Sequence, residues 1–213
     1  MQDLKIALIG ATGKAGIYIL KALLAQNIRV KALIRNPEKL QIHHASLEIV
    51  IGDVKDAETV HALIEGCNIV ISALGMGQPA SEKTIFTQST VNILKAMKAL
   101  GLKRYIVITG INVDSPADEK DAKTQFATKW MYDNYPVSTA DRQKEYEFLT
   151  ASNLDWTLIR LPLIIQTDEL THISTSLTNC DGDQINASNL ARFIIDQLGK
   201  ATFINQAPFI WNS

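Results

Sequence analysis

The sequence predicts an α/β protein built on a doubly wound parallel sheet with helices on both faces. Three observations lead to that class. Short apolar runs without alternation, such as Ile6-Ala7-Leu8-Ile9, Ile69-Val70-Ile71 and Tyr105-Ile106-Val107-Ile108, have the character of strands buried on both sides. Between them lie stretches whose apolar residues recur at steps of three and four, and strands joined through helices need crossovers that leave them parallel. Three glycines, Gly10, Gly13 and Gly16, then punctuate the passage from the first strand into the first helix.

The elements follow in order. Leu4-Lys5-Ile6-Ala7-Leu8-Ile9 is a strand that stops at Gly10. From Lys14 onward, Ile17, Leu20, Leu23 and Leu24 make one helix stripe, which Asn27 ends. Val30, Ala32, Leu33 and Ile34 form the second strand, ending at Arg35. Pro37 opens a short turn or helix, because its fixed φ suits a first helical position. Residues 47–51 read as the third strand. Asp56 caps a helix carrying Val60, Leu63 and Ile64, with Gly66 as its stop. Residues 68–72 supply a fourth strand. A long helix over 82–100 follows, with Phe86, Ile93, Leu94, Met97 and Leu100 inward and Gly101 beyond, and the fifth strand covers 105–109.

The second half is less regular. Residues 110–124 are polar and acid-rich and read as a solvated loop. Helices are expected over 124–132 and 138–152. A sixth strand covers 156–160 and is halted by Pro162; residues 165–186 read as loop with one short strand. Ser188 is placed to cap a last helix bearing Leu190, Phe193, Ile194, Ile195 and Leu198, and 202–211 is a strand-like tail. Trp211 in that tail either docks on the sheet edge or forms a subunit contact. No repeat, linker or low-complexity tract interrupts the chain, so residues 1–213 read as one domain.

Composition narrows the function. With 46% apolar and 20% charged residues, the chain has the make-up of an ordinary folded domain. Its 21 basic residues balance 22 acidic ones, which leaves no electrostatic footprint for nucleic acid or an anionic membrane. Cys67 and Cys180 stand far apart, and His43, His44, His61 and His172 show no H-x-x-x-H spacing, so no metal site is expected. No apolar run reaches the length of a membrane span, and the amino-terminal run is too short for a secretory core. The expectation is a cytoplasmic protein acting on a small molecule, as a monomer or weak homodimer.

The sharpest motif is Gly10-Ala11-Thr12-Gly13-Lys14-Ala15-Gly16. A pyrophosphate needs backbone N–H groups at a helix amino end, and glycine lets the backbone approach it. Gly10 allows the tight turn, Gly13 the approach to phosphate and Gly16 the packing of helix on strand. Lys14 does not make this a phosphoryl-transfer loop, since G-x-x-x-x-G-K-[ST] is not satisfied. The end of the second strand selects the dinucleotide. An NAD protein places Asp or Glu there for the ribose 2′-hydroxyl, whereas this chain has Arg35, whose guanidinium pairs with a 2′-phosphate. NADP(H) is therefore favoured over NAD(H), with Lys39 and the Thr12 hydroxyl as helpers. Asp53 and Val54 flank the adenine, although Asp53 equally suits a turn. Ala73, Leu74 and Gly75 let the backbone sit against ribose and nicotinamide. Thr109 ends a central strand at the carboxyl edge, where ligands sit.

These residues give the chain a resemblance to the atypical short-chain dehydrogenase/reductase families, in their NAD(P)H-binding, NmrA-like and flavin-reductase or biliverdin-reductase-B-like branches. The likeness is carried by the glycine turn, Ala32-Leu-Ile-Arg-Asn-Pro-Glu-Lys39, Gly52-Asp53-Val54, Ile71-Ser-Ala-Leu-Gly75 and Ser152-Asn-Leu-Asp-Trp-Thr-Leu-Ile-Arg-Leu-Pro162. It implies a Rossmann-type sheet in the order 3-2-1-4-5-6. Pro162, Leu163 and Ile164 are then expected near the nicotinamide, with residues 161–213 forming a small substrate-side region.

The departures shape the expected reaction. No tyrosine has a lysine four residues later, so the Tyr-x-x-x-Lys proton donor of the wider superfamily is missing. Reduction of a flavin, taken as substrate rather than bound cofactor, requires no dedicated acid and fits this absence. Asp141, Lys144 and Tyr146, on the helix after Ser138, are the candidates for a catalytic role; the plainer reading has Asp141 closing a capping box at the start of its own helix. The competing class is a non-catalytic NADP-binding redox sensor of NmrA-like type. A nucleotide-sugar epimerase is a third reading, for which the chain is short.

Overall fold

The computed structural model describes residues 4–77 and 80–213. Six parallel strands, β1 (Lys5–Ile9), β2 (Arg29–Ile34), β3 (Leu47–Ile51), β4 (Ile69–Ser72), β5 (Arg104–Gly110) and β6 (Asp155–Leu161), lie in the order β3-β2-β1-β4-β5-β6. The expected doubly wound order is present. Successive side chains of a strand point to opposite faces. Ile6 and Leu8 accordingly enter a core built with α1 (Gly16–Ala25) and α6 (Ala187–Gln197), while Ala7 and Ile9 enter a second core. That second core is closed by α2 (Ala57–Ile64), α3 (Ile85–Leu100) and α5 (Pro136–Thr150). The strands read as continuous apolar runs because both faces are covered.

Local signals set the boundaries. Asp56 accepts from the Glu58 and Thr59 N–H groups at the start of α2, and Gly66 follows that helix at φ 73°. Asn27 (φ 55°) and Gly101 (φ 70°) take the left-handed conformation after α1 and α3. A short 3-10 turn, Pro37–Lys39, is capped by Asn36.

The second half departs from expectation in four places. Helix α4 (Ala122–Asn134) begins earlier than 124, since Asp121 accepts from the Thr124 N–H and caps it. Helix α5 opens at Pro136 rather than near Ser138, because proline suits a first helical position. The 165–186 segment holds more strand than expected. There β7 (Leu163–Ile165) pairs with β9 (Gln184–Asn186), and β8 (Ile173–Ser176) joins the main sheet beside β10 (Phe209–Asn212), extending it past β6. Finally, Ser188 does not cap α6: Asn186 holds the cap position, and the Ser188 hydroxyl donates to the Glu169 carbonyl. Trp211 is buried in β10, its ring against Gly182, so the docked reading holds. Among the described residues no helix is long and apolar enough to cross a membrane.

Candidate functional site

The carboxyl ends of the six parallel strands bring Gly10, Arg35, Gly52-Asp53, Ala73-Leu74-Gly75, Gly110 and Pro162 to one edge of the sheet. The turn after β1 is built by close backbone packing. Gly10 has φ 79°, and a Cβ there would lie 2.5 Å from the Ala73 carbonyl oxygen. A Cβ at Gly16 would lie 1.9 Å from the Gly10 oxygen, so only glycine lets α1 sit this close to β1. The Gly13 N–H donates to the Gly10 carbonyl at 2.9 Å and closes the turn. Ala11 and Ala15 are buried, whereas Thr12, Gly13 and Lys14 are exposed. No side chain caps α1, and its first turn holds no acid. An uncapped helix amino end with its dipole facing outward is a ready site for an anion.

Around this turn the other sequence-selected residues fall into place unevenly. Arg35 is exposed and donates through Nη1 to the Ser81 hydroxyl oxygen at 3.1 Å; Lys39 lies on the adjoining 3-10 turn. The Asp53 carboxylate accepts from the Lys55 N–H at 2.9 Å, which is the turn role, and Val54 is buried with its carbonyl accepting from Asn92. Ala73 is buried beneath Gly10, and Gly75 is exposed with open space around it. Thr109 is buried, and its hydroxyl has no partner among the described residues. A buried hydroxyl without a partner at a ligand edge is a position awaiting a hydrogen bond. Beyond Pro162 the chain runs on as β7, where Leu163 points outward at 67% exposure and Ile164 packs toward the α1 and α6 core.

The three candidates on α5 scatter. Asp141 does not cap its own helix: its carboxylate accepts from the Phe86 N–H at 2.8 Å and the Thr87 N–H at 3.3 Å, capping α3 from across the interface. Lys144 is exposed along a groove of about 470 Å³ between α3 and α5, beside Lys55, Asn92 and Phe148. Tyr146 packs edge-on against Trp156 at a centroid distance of 5.9 Å, near the amino end of β6.

For two polar groups that bear on the edge, sequence reasoning gave no partners. Arg142 stacks on the Phe86 ring, donates to the Leu74 carbonyl and pairs with Glu145 at 2.6 Å. Burial pushes the Glu145 carboxyl above the usual range, against the opposing pull of Arg142. Thr90 donates to the other carboxylate oxygen at 3.1 Å. The spacing of Arg142 and Glu145, three residues apart, is the signal that points to this pair. Arg160 is fully buried: it chelates Asp118 at 2.6 and 2.7 Å, stacks on Phe209 and donates to the Val113, Leu177 and Ala207 carbonyls. It ties the segment after β5 to β6 and β10.

The profile of a family described as NAD(P)H-binding matches residues 10–201. The chain is 32% identical over 140 residues to phenylcoumaran benzylic ether reductase IRL1 of Ginkgo biloba, covering 61% of this chain but only 43% of that protein's length. In fold it is similar to a short-chain dehydrogenase/reductase of Veillonella parvula solved in complex with NADP, with TM-score 0.78, 18% identity and coverage of 98% and 94%. It is also similar to ChuY, an anaerobillin reductase of Escherichia coli O157:H7, with TM-score 0.81, 17% identity and coverage of 98% and 97%.

Proposed function

The chain belongs to the NAD(P)H-binding family, and we propose that within it the protein is an NADPH-dependent reductase of a flavin or a similar planar acceptor. One observation carries the reading: the exposed Thr12-Gly13-Lys14 turn at the uncapped amino end of α1, pressed against the carboxyl edge of the sheet by Gly10 and Gly16. In it, residues 10–16 hold the diphosphate, Arg35 and Lys39 receive a 2′-phosphate, and Asp53 and Val54 border the adenine. The Ala73-Leu74-Gly75 backbone and the Thr109 hydroxyl meet the ribose and nicotinamide. Pro162 and Leu163 open the acceptor side.

When bound, the dinucleotide supplies a hydride from its nicotinamide ring. The chain's own part is to orient the two rings and keep water from the transfer path. Neither Tyr105 nor Tyr146 is arranged as a proton donor here. Tyr105 is fully buried and burial pushes its hydroxyl pKa upward, while Tyr146 is held against Trp156. A flavin takes its hydride at N5, and the proton at N1 can come from water. The NADP of the Veillonella complex and the reductase names of ChuY and the Ginkgo protein support an NADPH-dependent reduction.

The test is steady NADPH oxidation with FMN or riboflavin, together with dissociation constants for both nucleotides. NADPH is expected to bind at least about tenfold more tightly than NADH, a difference of about 1.4 kcal/mol, and Arg35→Ala to remove most of that preference. Equal constants in the unmutated protein overturn the assignment of Arg35. Tight NADP binding without turnover of flavins, quinones or aldehydes favours a redox sensor instead.

A further inference from the structure

The connection between β4 and α3 reaches across to the end of β2. There the Arg35 guanidinium donates to Ser81 Oγ at 3.1 Å. A serine hydroxyl has one proton to give and two positions to accept. Ser81 uses its oxygen to accept from Arg35, and among the described residues its own proton has no acceptor.

Neighbouring residues hold Ser81 in place. The Ser81 N–H donates to the Met76 carbonyl at 2.6 Å. Glu82 pairs with Lys55 at 2.7 Å, and Asn92 donates to the Val54 and Lys55 carbonyls at 3.0 and 2.9 Å. The last three bonds tie Glu82 and α3 to the turn after β3, so Ser81 is held beside Arg35. Lys55 also lies close enough to Arg35 for their charges to repel, and the Glu82 carboxylate is already engaged by Lys55 and Gln88. The Arg35 cation and an uncommitted O–H therefore share one rim, with Lys55 close by and paired to Glu82. That is donor chemistry suited to a phosphate monoester, which accepts several hydrogen bonds at once.

We infer that Ser81 is a specificity-determining residue, its hydroxyl donating to a 2′-phosphate that Arg35 grips. This rests on the reading of Arg35 given above. A ribose 2′-hydroxyl offers Ser81 only a neutral partner, so the contact favours the phosphorylated dinucleotide.

The experiment measures dissociation constants of NADPH, NADH, 2′,5′-ADP and 5′-AMP for the unmutated protein, Ser81→Ala, Ser81→Thr, Ser81→Asp and Arg35→Ala. Ser81→Ala is expected to weaken NADPH and 2′,5′-ADP by about five- to tenfold, the loss of one hydrogen bond to a charged group at an exposed site. NADH and 5′-AMP stay within about twofold. Ser81→Thr keeps the hydroxyl and restores the preference, and Ser81→Asp, which sets a carboxylate on Arg35, lowers it below the alanine variant. If Ser81→Ala weakens all four ligands equally, or none, while Arg35→Ala still collapses the preference, the role of Ser81 is overturned and that of Arg35 stands. If Arg35→Ala leaves the preference intact, the assignment of Arg35 fails and this inference with it.

Discussion

A methyl group at Gly16 would press into the Gly10 carbonyl, and neither backbone can yield without parting α1 from β1. Gly16→Ala is therefore expected to destabilise by about 1–3 kcal/mol, the usual range for overpacking, and to weaken NADPH binding at least about tenfold. Thermal melting and nucleotide titration read the two effects separately. Arg160 poses the opposite case, a charge whose partner is buried with it. Arg160→Met leaves Asp118 without its chelating guanidinium, with an expected loss of about 3–5 kcal/mol by urea unfolding; changing Asp118 to Leu in the same chain recovers much of it. Cys180 is fully buried, and burial pushes its thiol up to about 11. Native protein is thus expected to react with thiol reagents only as fast as it opens, whereas denatured protein reacts at once.

At the scale of elements, helix ends decide the interplay of the parts. The amino end of α3 is closed by Asp141 on α5, so Asp141→Ala is expected to cost about 1–2 kcal/mol in chemical denaturation, with Asn retaining part of the cap. Helix α2 carries its own cap. The Thr59 hydroxyl and the Glu58 N–H hold the Asp56 carboxyl below its usual range. A lowered folded value means the contribution is present above about pH 4 and is lost as pH falls through the folded value. Asp56→Ala is accordingly less stable than the unmutated protein near neutrality. The gap in melting temperature between the two should narrow as pH falls below about 4, and a gap that stays unchanged on acidification removes the account of a charged cap. These two caps also mark how far sequence reads elements. Asp56 sits next to the residues it caps and was legible. Asp141 lies 55 residues from Phe86, and its own helix offered a nearer but mistaken employment. The start of α5 was misplaced for a related reason: only Tyr135 separates it from α4, and two helices sharing a corner have no run of loop residues between them.

For the whole molecule, the sheet places six strand ends, the glycine turn and Arg35 on one edge. A ligand bound there contacts several strands at once and should stabilise the fold as a unit. NADPH at about a hundredfold over its dissociation constant is expected to add about 2.7 kcal/mol, seen as a raised melting temperature, and NADH at the same concentration less. What the sequence determined alone was local in origin: the alternation of buried runs with helical stripes, the glycine spacing, and the cation after the second strand, each a pattern among residues within a few positions of one another. Tertiary structure alone decided the partners. Ser81 meets Arg35 across 46 residues, Arg160 meets Asp118 across 42, and the late strands β8 and β10 extend the sheet beyond β6. Periodicity tells which face of an element is apolar, but which polar group it will find opposite is fixed only when the faces pack.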